Sequence, residues 1–232
     1  CIRRRFWNHC EAGRKKEDAA FDKSYLHKAQ RNRWIGDSGL DPELTFDNYE
    51  GRQSSIALNY AKALLADKRG WLWIHGPYGT HKQHLANAIG MLVLDHSTRD
   101  PHVRMLDWRS FVQSMKAEWS ENPAHAEYPY RIRQAQKAGL LILNSVGDLP
   151  RKAYAVRQFV DLIAQRSRSR ESKPTIFVSA IPFESKTSSS LVDLMRGVGS
   201  QEIDLLVEEW QAVFDKEINK AEIGGVIYTG RK

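Results

Sequence analysis

The chain has 232 residues, 41% of them hydrophobic and 27% charged, and none of its apolar runs approaches the about 20 residues that a membrane-spanning helix needs. This composition excludes a wholly disordered chain and gives no reason to expect a membrane partner. The two cysteines, Cys1 and Cys10, are too few for a disulfide scaffold and favour a reducing, cytoplasmic setting.

Most of the net charge of +7 lies at the start of the chain. Residues 1–35 contain ten Lys or Arg against four acidic residues, which leaves +6 in this segment. A basic segment on a nearly neutral body suggests a polyanionic partner, with DNA first, although a solvated terminus is the alternative. The predicted DNA-binding residues here are Arg3, Arg4, Arg5, Lys15 and Lys16.

A metal site is not expected in this segment. Cys1, His9 and Cys10 offer only three ligands, in a spacing that fits no common zinc site.

The basic excess and the turn-forming residues at 37–39 and 41–42 divide the chain into a basic arm, 1–43, and a core domain, 44–232. A helix is predicted at 53–66, and short apolar runs then alternate with segments of helical periodicity. The predicted strands are Trp71–His75, Val103–Leu106, Leu140–Leu143, Thr175–Ser179 and Val226–Tyr228. The predicted helices between them are Lys82–Leu94, Ser110–Trp119, Ala153–Gln165 and Ile203–Ile218. Strands that alternate with helices indicate an α/β fold in three layers, with a five-stranded parallel sheet covered on both faces.

The loop after the first predicted strand carries the most chemical information. It runs from Gly76 to Lys82 and leads into a helix, which is the layout of a phosphate-binding P-loop, G-x-x-x-x-G-K-[ST]. In such a loop, backbone N–H groups and the helix N-terminus hold phosphates, and the lysine reaches the outer ones. The predicted nucleotide-binding residues are Gly76, Pro77, Tyr78, Gly79, Thr80, His81, Lys82, Gln83 and His84.

Two positions of this loop depart from the pattern. His81 stands where the pattern has glycine, and its ring would intrude on the nucleotide. Gln83 stands where a Ser or Thr hydroxyl would hold magnesium, and it is a poor substitute. A chance strand–turn–helix with no phosphate role remains the alternative.

Taken in order along residues 40–232, these segments resemble AAA+ ATP-binding proteins of the DnaC/IstB type, which are helicase loaders and transposition helper ATPases. Besides the P-loop, or Walker A segment, four stretches carry the resemblance. They are Leu44–Tyr49 at the entry to the core, Ala138–Gly147 like Walker B, Lys173–Pro182 like sensor 1, and Gly225–Arg231 like the last core strand.

The resemblance fails at the positions that carry the chemistry. The two Walker B acids, which hold magnesium and polarise the attacking water in this family, are Asn144 and Ser145 here. Ala180 replaces the sensor 1 asparagine. Asp148 is a candidate substitute acid, but we expect it to lie past the strand end and point elsewhere.

The resemblance also implies sites for DNA and for a neighbouring subunit. An alternating basic run, Arg166, Arg168 and Arg170, would contact DNA phosphates, with a solvated helix end as the alternative. Arg196 matches the region of the family's arginine finger, which would act in a homo-oligomer, and an ordinary surface arginine is the alternative.

The resemblance leads us to expect an AAA+ core whose helical lid is missing or shortened. ATP or ADP would bind weakly, magnesium would be poorly held, and hydrolysis would be lost. The protein would act in DNA replication or transposition by binding DNA or a helicase or transposase partner. Two alternatives remain open: an active ATPase with unconventional magnesium ligands, and a basic DNA-binding module that shares only the fold.

Overall fold

The computed structural model describes residues 28–50, 54–66, 70–97, 101–121, 128–148, 152–168, 173–184, 190–198, 201–218 and 225–228. The described helices are α1 (28–38), α2 (Ser54–Leu65), α3 (Lys82–His96), α4 (Trp108–Glu121), α5 (Tyr128–Lys137), α6 (Ala153–Arg168), α7 (Leu191–Arg196) and α8 (Gln201–Ile218). The strands are β1 (Trp71–His75), β2 (Val103–Asp107), β3 (Leu140–Asn144), β4 (Thr175–Ser179) and β5 (Gly225–Tyr228). A 3₁₀ turn, Val146–Asp148, follows β3.

The five strands form one sheet in the order β2-β3-β4-β1-β5, and every pair is parallel. The predicted parallel sheet is therefore confirmed, and each predicted strand matches an observed one to within a residue at either end. The carboxyl ends of β1, β3 and β4 lie at the same edge of the sheet, which is where ligands bind in open α/β folds.

Side chains that alternate along each strand fill two separate cores. Trp71, Trp73 and Phe177 face the core that the helices α4–α8 cover. Leu72 and Ile74 face the other core, which contains buried residues of α1, α2 and α3. The three inner strands β1, β3 and β4 are buried on both faces, as the near-continuous apolar runs predicted, whereas the edge strand β2 is only partly buried.

The structure corrects the boundary of the basic arm. Trp34 and Ile35, on α1, are 7% and 9% exposed and belong to the same core as α3. Leu40 is also buried there, and its side chain packs so closely on Gly90 of α3 that a Cβ on that glycine would come within 2.9 Å of it. Residues 28–43 are therefore part of the domain. Burial of three apolar side chains stabilises their packing on the core, while the charged residues around them can stay in water.

The sequence pattern missed α5 and α7 for different reasons. α5 is rich in arginine and glutamine, and Ala135 is its one fully buried residue among those described. α7 has only six residues, too few to show a period, and begins at a capping box in which Ser190 and Asp193 bond reciprocally.

Candidate functional site

The loop between β1 and α3, which the sequence predicts to bind phosphate, contains two glycines with positive φ. Gly76 and Gly79 have φ angles of 152° and 76°, both outside the range that residues with a side chain readily adopt. A Cβ at Gly79 would meet nothing within 4 Å, so the backbone conformation alone requires glycine there.

His81 holds the left-handed conformation that the P-loop pattern assigns to glycine. Its φ and ψ are 57° and 25°, and it precedes the first residue of α3. Left-handed backbone costs a residue with a Cβ about 1–2 kcal/mol, so this position is strained. The glycine of the pattern therefore serves the backbone as well as the space near a ligand.

The N-terminus of α3 has no side-chain cap. The first N–H groups of a helix have no partner within it, and the helix dipole adds a partial positive charge at this end. Since His81, Lys82 and Gln83 also line the cleft in front of this terminus, it can accept an anion.

Lys82 lies over the loop. Its Nζ is 2.5 Å from the carbonyl oxygen of Pro77, 3.4 Å from Oγ1 of Thr80, and 5.9 Å from the centre of the Tyr78 ring. Burial lowers the pKa of Lys82. The ammonium group thus contacts neutral oxygens, and a phosphate oxygen could take their place.

A cleft of about 240 Å³ separates this loop from the ends of β3 and β4. Its far wall consists of Asn144, Ser145, Gly147, Asp148, Val178, Ser179 and Ala180. Small-molecule sites usually enclose about 300–1,000 Å³. In this conformation the cleft has room for phosphate groups, but it is small for a whole nucleotide.

Asp107 supplies a carboxylate next to the two positions where Walker B acids are missing. It pairs with Asn144 in the register of β2 and β3. Its Oδ2 accepts hydrogen bonds from Oγ of Ser145 at 2.5 Å and from Nδ2 of Asn144 at 3.3 Å, and its Oδ1 accepts from the N–H of Ser110 at 2.8 Å. Burial raises the pKa of Asp107, but these hydrogen bonds outweigh it, so the pKa is lowered overall. This carboxylate stays ionised, and its oxygens are already engaged.

Asp148 faces the loop, contrary to the expectation that it would point elsewhere. Its Oδ1 accepts a hydrogen bond of 2.8 Å from the hydroxyl of Tyr78, and its Oδ2 lies 3.7 Å from Nη1 of Arg109. The 3₁₀ turn after β3 carries this carboxylate back over the cleft. The same hydrogen bond raises the pKa of Tyr78.

The donors in the cleft do not fit magnesium. Mg²⁺ usually takes one or two carboxylates together with phosphate oxygens and water. Among the described residues Asp148 is the one carboxylate that lines the cleft, and it contacts Arg109 and Tyr78. The hydroxyl of Thr80 donates to Pro77, and the part of the chain that the structure describes has no cluster of three His, Cys, Asp or Glu side chains suited to a metal.

The remaining predicted nucleotide-binding residues have other contacts. Gly76, Pro77 and His84 do not line the cleft. Nε2 of His84 is 2.8 Å from the carbonyl oxygen of Thr45 and 3.0 Å from Oδ1 of Asn48. His84 therefore fastens the segment before α2 to α3.

Sequence reasoning missed a second set of hydrogen bonds between α3 and the segment before α2. Asn87, which is 1% exposed, accepts from the N–H of Asp41 and donates to the carbonyl oxygens of Asp41 and Leu44. The available signal was a polar residue, Asn87, among the apolar residues of the predicted helix. It could have indicated a buried hydrogen-bonding role.

The structure corrects the prediction for Arg166, which is fully buried and cannot reach DNA. Its guanidinium donates to Oγ1 of Thr175 and to three carbonyl oxygens, those of Ala135, Ala138 and Pro174, at 2.6–3.0 Å. Burial lowers its pKa to about 9. Arg166 joins α6 to the end of α5 and the start of β4.

The other predicted DNA-binding residues are not tested by these contacts. Arg168 is exposed at the end of α6. Arg3, Arg4, Arg5, Lys15, Lys16 and Arg170 lie outside the described residues, as do Cys1, His9 and Cys10. Arg196 is exposed at the end of α7, 3.4 Å from Oε1 of Gln211.

Comparison with protein-family models finds no match, and comparison with curated proteins finds none either. No helix in the described ranges is long and apolar enough to cross a membrane.

Several solved structures share the fold. A crystal structure of a DNA replication initiation factor has a TM-score of 0.55 and 19% identity, over 82% of this chain and 50% of that one. DnaA from Aquifex aeolicus bound to AMPPCP has a TM-score of 0.55 and 20% identity over the same shares. DnaI has a TM-score of 0.54 and 16% identity, over 78% of this chain and 88% of that one.

At these identities the likeness concerns the fold, and the chain spans half the length of the first two structures. The chain has a parallel α/β sheet with helices on both faces, and this is the fold that it shares with the DnaA and DnaI structures.

Proposed function

We propose that this protein is an AAA+ module that binds ATP or ADP weakly and has lost hydrolysis. It would act in DNA replication or transposition, by binding DNA or a partner helicase or transposase. The observation that carries the proposal is the phosphate loop. Its left-handed backbone leads to an uncapped helix N-terminus, and Lys82 lies over a polar cleft.

Weak nucleotide binding follows from two opposing effects. Lys82 and the N-terminus of α3 attract phosphate. The exposed imidazole of His81 lines the same small cleft, and the carboxylate of Asp148 faces it, so both oppose a nucleotide. The balance favours binding of the phosphates with low affinity.

Loss of hydrolysis follows from the groups at the ends of β3 and β4. The hydroxyl of Ser145 and the amide of Asn144 each donate a hydrogen bond to Asp107, and Ala180 has no polar side chain. None of the three can act as a general base. Loss of one charge-stabilising group in an active site typically raises the barrier by about 2.7–4 kcal/mol. Several such losses, although not additive, reduce turnover to background.

The position of Asp148 favours a second candidate function, that of an active ATPase. Asp148 lines the cleft together with Lys82 and contacts the loop through Tyr78. In this alternative Asp148 is the general base, and Gln83 or Asn144 supplies an amide oxygen to magnesium. The donor set of the cleft is poor for that ion, so we rank this function second.

The proposal of a DNA partner has two supports. The formal net charge is +7, with most of it in residues 1–35. A replication initiator DnaA of similar fold, with a TM-score of 0.53 and 19% identity, was solved bound to AMPPCP and single-stranded DNA. Electrostatic contacts to phosphates would make this binding strongly dependent on salt.

Calorimetry with ATP and ADP, with and without magnesium, tests the nucleotide site. We expect weak binding that Lys82→Ala abolishes and that magnesium leaves unchanged. Arg168→Ala, an exposed charge removed from α6, is the matched control and should bind as the wild type does.

Two other outcomes would redirect the proposal. Phosphate release that depends on magnesium and is lost in Asp148→Asn would support the active ATPase instead. Salt-sensitive DNA binding without any nucleotide binding, and without an effect of ATP, would support a DNA-binding module that shares only the fold.

A further inference from the structure

A second cavity, of about 370 Å³, lies at the outer edge of the sheet. β2 is an edge strand, and the cavity is bounded by residues 36–39 at the end of α1, by Arg104–Leu106 on β2 and by one face of α5. We call it the β2-edge groove. Its volume is within the about 300–1,000 Å³ that is usual for small-molecule sites.

Two arginines in the groove are held in place by neutral partners. Arg131 donates through Nη1 to Oγ of Ser114 at 3.1 Å, and its guanidinium carbon lies 5.3 Å from the centre of the Phe111 ring. Arg104 has Nη2 3.4 Å from Oε1 of Gln134, a weak hydrogen bond. Their positive charges therefore persist in the groove, since within the described ranges neither has a carboxylate in salt-bridge range.

Asp37, the one acid among the described residues that line the groove, reduces this positive charge only in part. Asp37 lines the groove, and its carboxylate lies 3.9 Å from Nε of Arg33, one turn away on α1. That pair is exposed and neutral in sum. The groove itself keeps two guanidinium groups, which are suited to the oxygens of a phosphate.

Tyr130 adds an aromatic surface beside these charges. It is 59% exposed and lines the groove, whereas the buried residues of α4 and α5 pack inward. A largely exposed aromatic ring next to arginines is the usual arrangement for stacking a nucleobase while a phosphate is held nearby.

We propose that the β2-edge groove binds a nucleotide unit, with its phosphate on Arg104 and Arg131 and its base stacked on Tyr130. The unit is either part of a single strand or a free mononucleotide. This site is separate from the phosphate loop, because it lies on the opposite side of β3 from β1 and shares no residue with the cleft. It rests on the nucleic-acid partner of the proposed function, but needs no ATP.

Fluorescence anisotropy with a labelled oligodeoxythymidylate tests the groove, with thymidine monophosphate and inorganic phosphate as competitors. The measurements use the full chain carrying Lys82→Ala, which removes the phosphate loop as a competing site. We expect Arg104→Ala and Arg131→Ala each to weaken binding about tenfold, since a hydrogen bond to a charged group is worth that much. The salt dependence should also fall by about one counterion for each arginine.

Matched variants separate the groove from general charge and from folding. Arg133→Ala removes an exposed arginine of α5 that does not line the groove, and should change affinity by about twofold at most. Tyr130→Ala should weaken binding about fivefold or more, and Tyr130→Phe should restore it, because the ring and not the hydroxyl stacks on the base. Arg131→Gln can keep a hydrogen bond to Ser114 while it removes the charge, and thermal melting verifies that each variant folds.

The competitors identify the source of the nucleotide. Competition by thymidine monophosphate that Tyr130→Ala weakens would support a free nucleotide, and binding of the oligonucleotide alone would support a strand. Competition by inorganic phosphate equal to that of the mononucleotide, with Tyr130→Ala unchanged, would overturn the proposal. Wild-type affinity of the oligonucleotide for every groove variant would also overturn the proposal, although the proposal of a DNA partner would then stand. Absence of any oligonucleotide or nucleotide binding would overturn the groove and the DNA partner together, and leave the phosphate loop to its own test.

Discussion

The hydroxyl of Ser145, at the end of β3, donates a hydrogen bond of 2.5 Å to Oδ2 of Asp107, at the end of the neighbouring strand β2. A carboxylate is thus present at this edge of the sheet, although both Walker B positions lack one. It lies one strand away from the expected place, and it does not line the cleft. Its contacts are those of a structural residue, since it also caps α4 through the N–H of Ser110.

The charge of Asp107 should stabilise the fold at neutral pH. Its pKa is lowered in the folded protein from the ordinary value of 3.8, so the stabilisation is present above that value and is lost as the pH falls through the folded pKa. Asp107→Asn keeps an oxygen for the cap and removes the charge. Urea unfolding between about pH 6 and about pH 3 should show a difference from the wild type that shrinks on acidification. A difference that is independent of pH would contradict this account.

Asp148 distinguishes the two nucleotide hypotheses. If its carboxylate only repels phosphate, Asp148→Asn should tighten ATP binding about two- to fivefold, because partly exposed charges interact with about 0.2–1 kcal/mol. Calorimetry measures this effect, and Tyr78→Phe, which removes only the hydrogen-bond donor to Asp148, is the companion variant. Unchanged affinity together with loss of a measurable turnover would instead identify Asp148 as a base.

His81 should limit nucleotide binding through its ring. His81→Gly relieves the left-handed strain and empties this part of the cleft, while His81→Ala empties it but keeps a Cβ in left-handed backbone. Both should bind ATP more tightly, since steric overpacking typically costs about 1–3 kcal/mol. In thermal or urea unfolding the alanine variant should be less stable than the glycine variant by about 1 kcal/mol. Tighter binding by the glycine variant alone would mean that the backbone, and not the ring, is the obstacle.

Arg166 should matter for stability and not for DNA. Arg166→Met leaves three buried acceptors and the partly buried carbonyl oxygen of Pro174 without their donor, and should lower the free energy of unfolding by about 3 kcal/mol or more. Arg168→Ala, on an exposed position of the same helix, should change it by about 0.5 kcal/mol at most. Chemical denaturation of the two variants makes the comparison. If Arg166→Met were as stable as the wild type but bound DNA more weakly, Arg166 would be a DNA contact and not a structural residue.

The pattern of apolar residues was sufficient for the sheet and for the loop before α3. Five buried runs separated by amphipathic segments leave few alternatives to a parallel sheet with helices on both faces, because each strand must bury both of its sides. The spacing from Gly76 to Lys82 indicated the loop between β1 and α3 for a similar reason, since glycines between a strand and a helix reflect local requirements of the backbone. Its role in phosphate binding remains a prediction. Both features depend on residues close together in the sequence.

Contacts between distant residues were decided by the tertiary structure. Arg166 has the same residue type and spacing as the exposed Arg168, and only the convergence of α5, α6 and β4 places four acceptors around it. Asp107 meets Ser145, and Tyr78 meets Asp148, across 38 and 70 residues of chain. Local sequence determines the strands and the longer amphipathic helices, whereas the pattern did not reveal α5 and α7. The packing of the sheet and its helices determines which polar groups share one low-dielectric site, and therefore which charges stabilise the fold and which remain for a ligand.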